Sequence, residues 1–307
     1  MATGSYREMA RRQFFGSEQR EPAGPVPVIK RTASDYSKAP ASRLRATWIG
    51  WASVLVEIDG RIILTDPVWS DRCFPVQWAG PRRLVPPGIA FEALPPVDVV
   101  LQSHDHYDHL DDWTVRAIAR VHPDARWFTP LGVGHRLKMR GVRCVTELDW
   151  WQQAVSDDVQ VTAVPAQHFS GRTPWDRNRS LWAGFVLKVF GHSLFFVGDT
   201  GWHDGFAEIG EKCGPFDAVF MPIGAYDPRW IMEPVHVDPE QAVRAFCQLG
   251  AACPTSSPVM FAMHWGTFVL TDEPVDEPPA RVRAAWTAAA LPETRLCVLT
   301  PGETRVR

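Results

Sequence analysis

Four apolar runs in this 307-residue chain each end at a side chain that can bind a metal ion. Residues 97–103 precede His104, 159–165 precede His168, 193–198 precede Asp199, and 258–263 precede His264. Each run reads as a buried strand, and donors on loops at one rim of a rigid sheet are what a buried metal centre requires. The first strand end is the densest, reading Ser103-His104-Asp105-His106-Tyr107-Asp108-His109. It packs three of the chain's 10 His and two carboxylates into six residues. Neutral imidazole and carboxylate suit zinc and its first-row neighbours; packed together without a cation, they would compete for protons and water. The chain therefore reads as a metalloprotein.

Composition narrows the class. A formal net charge of −3 with 22% charged residues lacks the basic stripe of a nucleic-acid binder, so no nucleic-acid partner is expected. The 6 Cys are scattered without a C-x-x-C pair, which fits a reducing compartment rather than a disulfide framework. Cys144 and Cys297 have apolar neighbours and are expected in the core. No run approaches the ~18 apolar residues of a membrane span. The N-terminus lacks the charged-then-apolar layout of a signal peptide, and a cytoplasmic location is the expectation.

Residues 1–43 are polar and carry Pro22, Pro25, Pro27 and Pro40. They read as an extended arm or disordered tail ahead of one domain over 44–307. Within that domain 47–49, 53–58 and 61–65 read as strands, with Asp59-Gly60 as a hairpin turn. A long aromatic loop over 69–96, with Trp69, Trp78 and six Pro, has the length of a segment that covers a site. Asp111-Asp112 caps a helix containing Trp113, Val115, Ala117 and Ile118. Runs 182–190 and 193–197 read as a hairpin turning at Gly191-His192, and Asp238-Pro239-Glu240 opens a further helix. Trp51, Trp150, Trp151 and Trp182 read as core, whereas Trp69, Trp78, Trp230 and Trp265 fall on loops and could line a pocket.

The ligand-bearing strand ends resemble those of the metallo-β-lactamase superfamily. The resemblance implies an α+β fold, a four-layer αββα sandwich with a two-metal site at one edge of the paired sheets. On that pattern His104, His106 and His168 would hold one divalent ion and Asp108, His109 and His264 a second, with Asp199 bridging them. Asp66, ending the Leu64-Thr65-Asp66-Pro67 stretch, would orient a ligating His through its other nitrogen. Zn2+ suits this donor set best, and Mn2+ or Fe2+ is compatible. Within the superfamily, Gly80-Pro81-Arg82-Arg83, Gly224-Ala225-Tyr226-Asp227-Pro228-Arg229-Trp230 and His236-Val237-Asp238-Pro239-Glu240 are similar to the N-acyl-phosphatidylethanolamine-hydrolysing phospholipase D group. The similarity spans roughly residues 45–305. Residue 105 is Asp where mammalian members of the group carry Asn, which is expected to add negative charge beside the site. The stretch 249–258 has no counterpart in the group. Residues 1–42 offer no apolar surface for membrane docking, since Phe14 and Phe15 are isolated.

The resemblance implies a phosphodiesterase in which a hydroxide shared by two metals attacks phosphorus. Alongside Asp108 and Asp199, Tyr107 and His236 are expected to hydrogen-bond the reacting groups, and Arg82, Arg83 or Arg229 to steer an anionic head group. Tyr107 reads equally well as a packed ring, and His236 as a lead into a helix cap. The second reading is a lactonase or another ester or amide hydrolase using the same hydroxide. The third is a metal-binding scaffold without activity, against which all seven ligand positions are filled. The expected partner is a small-molecule or phospholipid substrate; peripheral membrane contact is compatible with the second but is not evident in the sequence.

Overall fold

The computed structural model describes residues 8, 11–12, 20–22, 24–36, 44–251 and 257–307. In chain order the strands are β1 (Arg45–Gly50), β2 (Ser53–Ile58), β3 (Arg61–Thr65), β4 (Val99–Leu101), β5 (Arg126–Pro130), β6 (Cys144–Leu148) and β7 (Gln153–Ser156). They continue with β8 (Val159–Val164), β9 (Gly184–Val189), β10 (His192–Phe196), β11 (Ala218–Pro222), β12 (Val259–Met263), β13 (Leu296–Cys297) and β14 (Thr304–Val306). Two seven-stranded sheets result, ordered β14-β1-β2-β3-β4-β5-β6 and β13-β12-β11-β10-β9-β8-β7.

The strand sequences explain the layering. β2 is buried at all six positions, so both of its faces must be covered. Val54 and Val56 join a core that includes Val161, Phe185 and Phe195 of the second sheet. Leu55, one residue out of phase, joins a separate cluster with Val115 and Ile118 of α1 (Asp112–Val121) and Leu137 of α2 (Gly134–Lys138). The second sheet is covered by α3 (Gly205–Cys213), α5 (Pro239–Ala251) and α6 (Pro278–Ala288), which supply Phe206, Phe246 and Trp286. A short α4 (Arg229–Met232) precedes α5. The result is the expected α+β sandwich, helices outside and two sheets within. Trp127 of β5 is the largest fully buried side chain of the outer cluster. Trp127→Ala is expected to cost about 3–5 kcal/mol, read as a lower urea midpoint at constant slope.

Local signals hold closely at the first hairpin and less so at the second. Asp111 caps α1, accepting from the Trp113 N–H at 3.3 Å. The hairpin expected to turn at Gly191-His192 turns one residue earlier, because His192 already pairs with Val189. Phe190 and Gly191 both have positive φ, 48° and 80°, as a two-residue primed turn requires. Cys144, expected in the core, is exposed at the start of β6, an edge strand. Cys297 is buried.

Described residues of the N-terminal arm are tied to the domain. Ile29 N–H donates to the Pro301 carbonyl (2.8 Å), Arg31 N–H to Gly88 (3.0 Å), and Tyr36 is buried in the outer cluster. Arg20 pairs with Asp272 through Nε at 3.0 Å. Phe14, Phe15, Pro40 and the stretch 252–256 lie outside the described residues.

Strand direction places the chemistry. β3 and β4 are parallel, as are β10, β11 and β12, and β8 runs with β10 because each is antiparallel to β9. The C-terminal ends of β3 and β4 in one sheet, and of β8, β10 and β12 in the other, carry the segments that converge into one cluster.

Candidate metal centre

Those strand ends deliver Asp66, His104 to His109, His168, Asp199 and His264. His104, His106 and His168 present nitrogens within 4.8 Å of one another, and so do the donor atoms of Asp108, His109, Asp199 and His264. In the first cluster His104 Nε2 and His106 Nδ1 are 2.9 Å apart, and His168 Nε2 lies 3.2 Å from the same His106 nitrogen. In the second, His109 Nε2 and His264 Nε2 are 3.1 Å apart. Asp199 reaches into both. Its Oδ2 is 3.1 Å from His109 Nε2, 3.8 Å from His168 Nε2 and 4.0 Å from His104 Nε2, and its Oδ1 is 3.0 Å from His264 Nε2.

Hydrogen bonds on the far side of the rings set their tautomers. The Val235 carbonyl, 2.9 Å from His168 Nδ1, can only accept, so that nitrogen carries the proton. His109 Nδ1 donates to Asp66 Oδ2 at 2.6 Å. The Ser103 hydroxyl donates to Asp66 and therefore accepts from His104 Nδ1 at 2.8 Å. In each neutral ring the Nε2 lone pair is left pointing at its neighbours. Asp66 also accepts from the Ser103 N–H (2.7 Å) and Gln102 Nε2 (3.0 Å), so one buried carboxylate orients two of the three imidazoles from the first loop.

This donor chemistry fits divalent cations. Burial, joined by neighbouring imidazoles, holds His104 well below the ordinary imidazole value, and burial takes His106 to about 4 and His168 to about 3. The lone pairs of His104 Nε2 and His168 Nε2 converge on a single His106 nitrogen, an arrangement that a cation satisfies for all three rings at once. In the second cluster burial again disfavours charge, yet the carboxylates of Asp199 and Asp108 hold His109 well above the ordinary value. Asp199 likewise raises His264. Protons there supply the positive charge that a metal ion would otherwise bring.

Several side chains that sequence reasoning missed fix these donors. Trp51, expected only as core, donates from Nε1 to Asp108 Oδ2 at 3.1 Å and lies with its ring 4.0 Å from that of His264. Its carbonyl accepts the His264 N–H at 2.9 Å. Gly224 packs so closely that a Cβ would sit 2.3 Å from the His264 carbonyl oxygen, and Glu273 accepts from the next backbone N–H, Ala225, at 2.6 Å. The Gly-Ala-Tyr stretch thus buttresses the last ligand strand. No spacing in the sequence links these residues to the donors.

A cavity of about 260 Å³ adjoins the clusters. It is lined by His106, Asp108, His168, Asp199, His236 and His264 together with the apolar Phe169, Ile231, Met232, Val235 and Leu270. A larger open groove, about 930 Å³, passes Arg20, Asp71 and Arg82 and contains none of the donors. His236 also lines the cavity, with its ring 5.0 Å from that of His168 and, among the described residues, no hydrogen bond to Nδ1. Burial lowers it to about 3, and with His168 and Asp199 it forms a further potential donor group. Tyr107 is not among the residues lining the cavity. Its ring lies under the Arg172 guanidinium, 3.7 Å away, and 6.2 Å from the Phe74 ring, so the packed-ring reading describes it.

The expected steering cations are committed elsewhere. Arg83 donates to the carbonyls of Ser70 and Val68 at 2.9 Å, and burial lowers it to about 10. Arg229 donates to the His236 carbonyl (3.0 Å) and Gln241 (2.9 Å), holding the His236 loop against α5. Arg82 faces the larger groove. Arg177 is exposed and outside the cavity lining, with its guanidinium 4.4 Å above the ring of Phe169, which does line it. Nor does Asp105 add charge to the centre, because its carboxylate meets Arg136 Nε at 2.9 Å and Ser180 Oγ at 2.9 Å. Of the loop tryptophans, Trp69 and Trp265 are buried, while Trp78 and Trp230 are exposed.

An αββα sandwich with adjoining His and Asp clusters at one sheet edge is the architecture of a metal-dependent hydrolase. Residues 61–265 match the family described as Beta-lactamase superfamily domain. An uncharacterized protein of Mycobacterium tuberculosis is 45% identical over 266 residues, covering 86% of this chain and 69% of that protein. N-acyl-phosphatidylethanolamine-hydrolyzing phospholipase D 1 of Caenorhabditis elegans is 38% identical over 290 residues, covering 91% and 79%. Among solved structures, a metallo hydrolase of Ignicoccus hospitalis superposes with a TM-score of 0.65 at 23% identity, over 86% of this chain and 98% of that one. The chain belongs to the metallo-β-lactamase superfamily and is a metal-dependent hydrolase of it.

Proposed function

We propose that His104, His106 and His168 hold one divalent ion and Asp108, His109 and His264 a second, with Asp199 shared, Zn2+ being the ion that suits them best. On this reading the chain is a phosphodiesterase of the N-acyl-phosphatidylethanolamine phospholipase D type. The observation that carries it is that Phe169, Ile231, Met232, Val235 and Leu270 line the same cavity as the donors. That lining suits the chain of an amphiphile whose polar linkage meets the donors. The 38% identity to the nematode phospholipase D supports the same choice.

The chemistry supplied by a bound ion pair is a water acidic enough to attack near neutrality, with neutralisation of charge on the attacked group. The protein's own contribution is placement. Asp66 and Ser103 keep His109 and His104 in the tautomers that aim Nε2 inward. Trp51 restrains Asp108, and Phe169, Ile231, Met232, Val235 and Leu270 give the cavity beside the donors an apolar lining. His236 Nδ1, with no hydrogen-bond partner among the described residues, is placed to hydrogen-bond the substrate.

The test is incubation of purified, zinc-loaded protein with N-acyl phosphatidylethanolamine. Water should split the bond between phosphorus and the head-group oxygen, releasing phosphatidic acid and N-acylethanolamine. Turnover of lactones without any phosphodiester cleavage would move the assignment to the second reading. That reading, a lactonase or other ester or amide hydrolase, is favoured by one observation: the cavity lining contains no Lys or Arg among the described residues. Arg177 separates the two. Arg177→Ala is expected to raise KM about 10-fold for the anionic phosphodiester, the size of one charged hydrogen bond, and to leave a neutral lactone nearly unchanged. Equal effects on both substrates would remove Arg177 from recognition.

A further inference from the structure

We infer that Asp105 and Arg172 form a reciprocal staple that sets the distance between the loop carrying His104 and His106 and the loop carrying His168. Both are positioning residues for the first metal site, and the inference rests on the metal reading above. Asp105 lies between two of the donors, and Gly171 and Arg172 follow the third by three and four residues. The bonds between the two segments run in both directions. The Asp105 carboxylate accepts from the Gly171 N–H at 2.8 Å and from Ser180 Oγ at 2.9 Å, both in the later segment. Arg172 answers from that segment. Its Nη1 donates to the carbonyls of Asp105 (2.9 Å) and Leu110 (2.7 Å), and its Nη2 to Asp112 Oδ1 (2.7 Å).

Arg172 thus grips the donor loop at 105, 110 and 112, bracketing His106, Asp108 and His109, while its guanidinium lies 3.7 Å from the Tyr107 ring centroid. Its side chain is only 4% exposed. A guanidinium so far out of water keeps its place only if its donors find acceptors, so its partners fix it as firmly as it fixes them. Arg136 braces the other half, bonding Asp105 at 2.9 Å and reaching Asp176 in the same later segment. The planar fork is what lets one side chain hold two carbonyls and a carboxylate.

Donors of the second site have supports that do not cross the stapled boundary, whereas in the first His104 leans on Ser103 and His168 on the Val235 carbonyl, on opposite sides of it. His109 is held by Asp66, Asp108 by Trp51, and His264 by the Trp51 carbonyl. In the first site, His168 must stay beside His106, at the 3.2 Å separation, across the stapled boundary. Loosening the staple should therefore weaken one metal equivalent and spare the other. A purely structural role would lower thermal stability without that split.

The experiment is zinc titration of the metal-stripped full chain against a chromophoric chelator, with circular dichroism melts alongside. Wild type should take up two equivalents. Arg172→Gln should retain one at wild-type affinity and bind the other about 10–100-fold more weakly, the usual range for a residue that orients a ligand. Arg172→Lys should recover part of the loss, since an ammonium can bond one carbonyl but cannot bracket the loop. Should Arg172→Gln fail to fold, Asp105→Asn serves, keeping the shape and one acceptor while removing the charge, with a smaller shift in the same equivalent. Two zinc ions bound at wild-type affinity by the variants, or both weakened alike, would overturn the staple alone. A wild type that takes up no zinc would overturn the metal reading and the staple with it.

Discussion

Asp199→Asn is expected to lower turnover by about 100-fold or more, beyond the 10–100-fold typical of residues that only orient a ligand. Asp199 is the side chain that reaches both clusters, with Oδ2 3.1 Å from His109 Nε2 and 3.8 Å from His168 Nε2, and Oδ1 3.0 Å from His264 Nε2. Five of the seven proposed ligands are neutral imidazoles when metal is bound, so Asp108 and Asp199 supply all of the negative charge. The amide keeps the volume but halves that charge, and its nitrogen cannot bind a cation. Zinc stoichiometry should fall below two while the fold persists, because the change is isosteric. Unchanged hydrolysis in this variant would remove Asp199 from the mechanism.

Asp66→Asn is expected to weaken zinc binding about 10–100-fold without touching a proposed ligand. The Asp66 carboxylate faces only donors: His109 Nδ1 at 2.6 Å, the Ser103 N–H at 2.7 Å, Gln102 Nε2 at 3.0 Å and the Ser103 hydroxyl. An amide must turn its NH2 toward one of these sides, setting donor against donor. If it faces His109, the ring must adopt the other tautomer, and Nε2 then carries the proton where its lone pair is needed. If it faces Ser103, a buried backbone N–H loses its acceptor, at a cost of about 1–3 kcal/mol. Burial raises the Asp66 carboxyl above its ordinary value, and His109 and Ser103 pull the other way. Metal titration and a thermal melt read both consequences. Wild-type zinc affinity in Asp66→Asn would mean that the His109 tautomer is set by the metal rather than by Asp66.

The donors were legible because they are local. His104, His106, Asp108 and His109 share one loop after one strand, and His168, Asp199 and His264 each follow an apolar run that can only be buried. Strands β6 and β7 leave little trace in the sequence. Cys144–Leu148 and Gln153–Ser156 are short edge strands that alternate between exposed and half-buried positions over most of their length and carry little periodic signal. The cations misled for a related reason. Arg83 and Arg229 look in sequence like surface charges, yet each spends its guanidinium on backbone carbonyls. Asp105, flanked by two ligands, looks like part of the centre, yet it is bonded to Arg136, Gly171 and Ser180.

Residue types and their order along the chain thus settled the family, the sandwich and the candidate ligands. Strand period, strand ends and ligand chemistry act over a few residues and survive without a partner. Which nitrogen of each ring points inward, what lines the cavity beside the donors and which side chains hold them were decided only by folding. Those features join residue 51 to 108, 66 to 109, 105 to 171 and 106 to 270, and the meeting of such distant segments depends on how two sheets stack. Hydrogen-bond direction and burial at those meeting points come from the packed arrangement of neighbours, which no local pattern encodes.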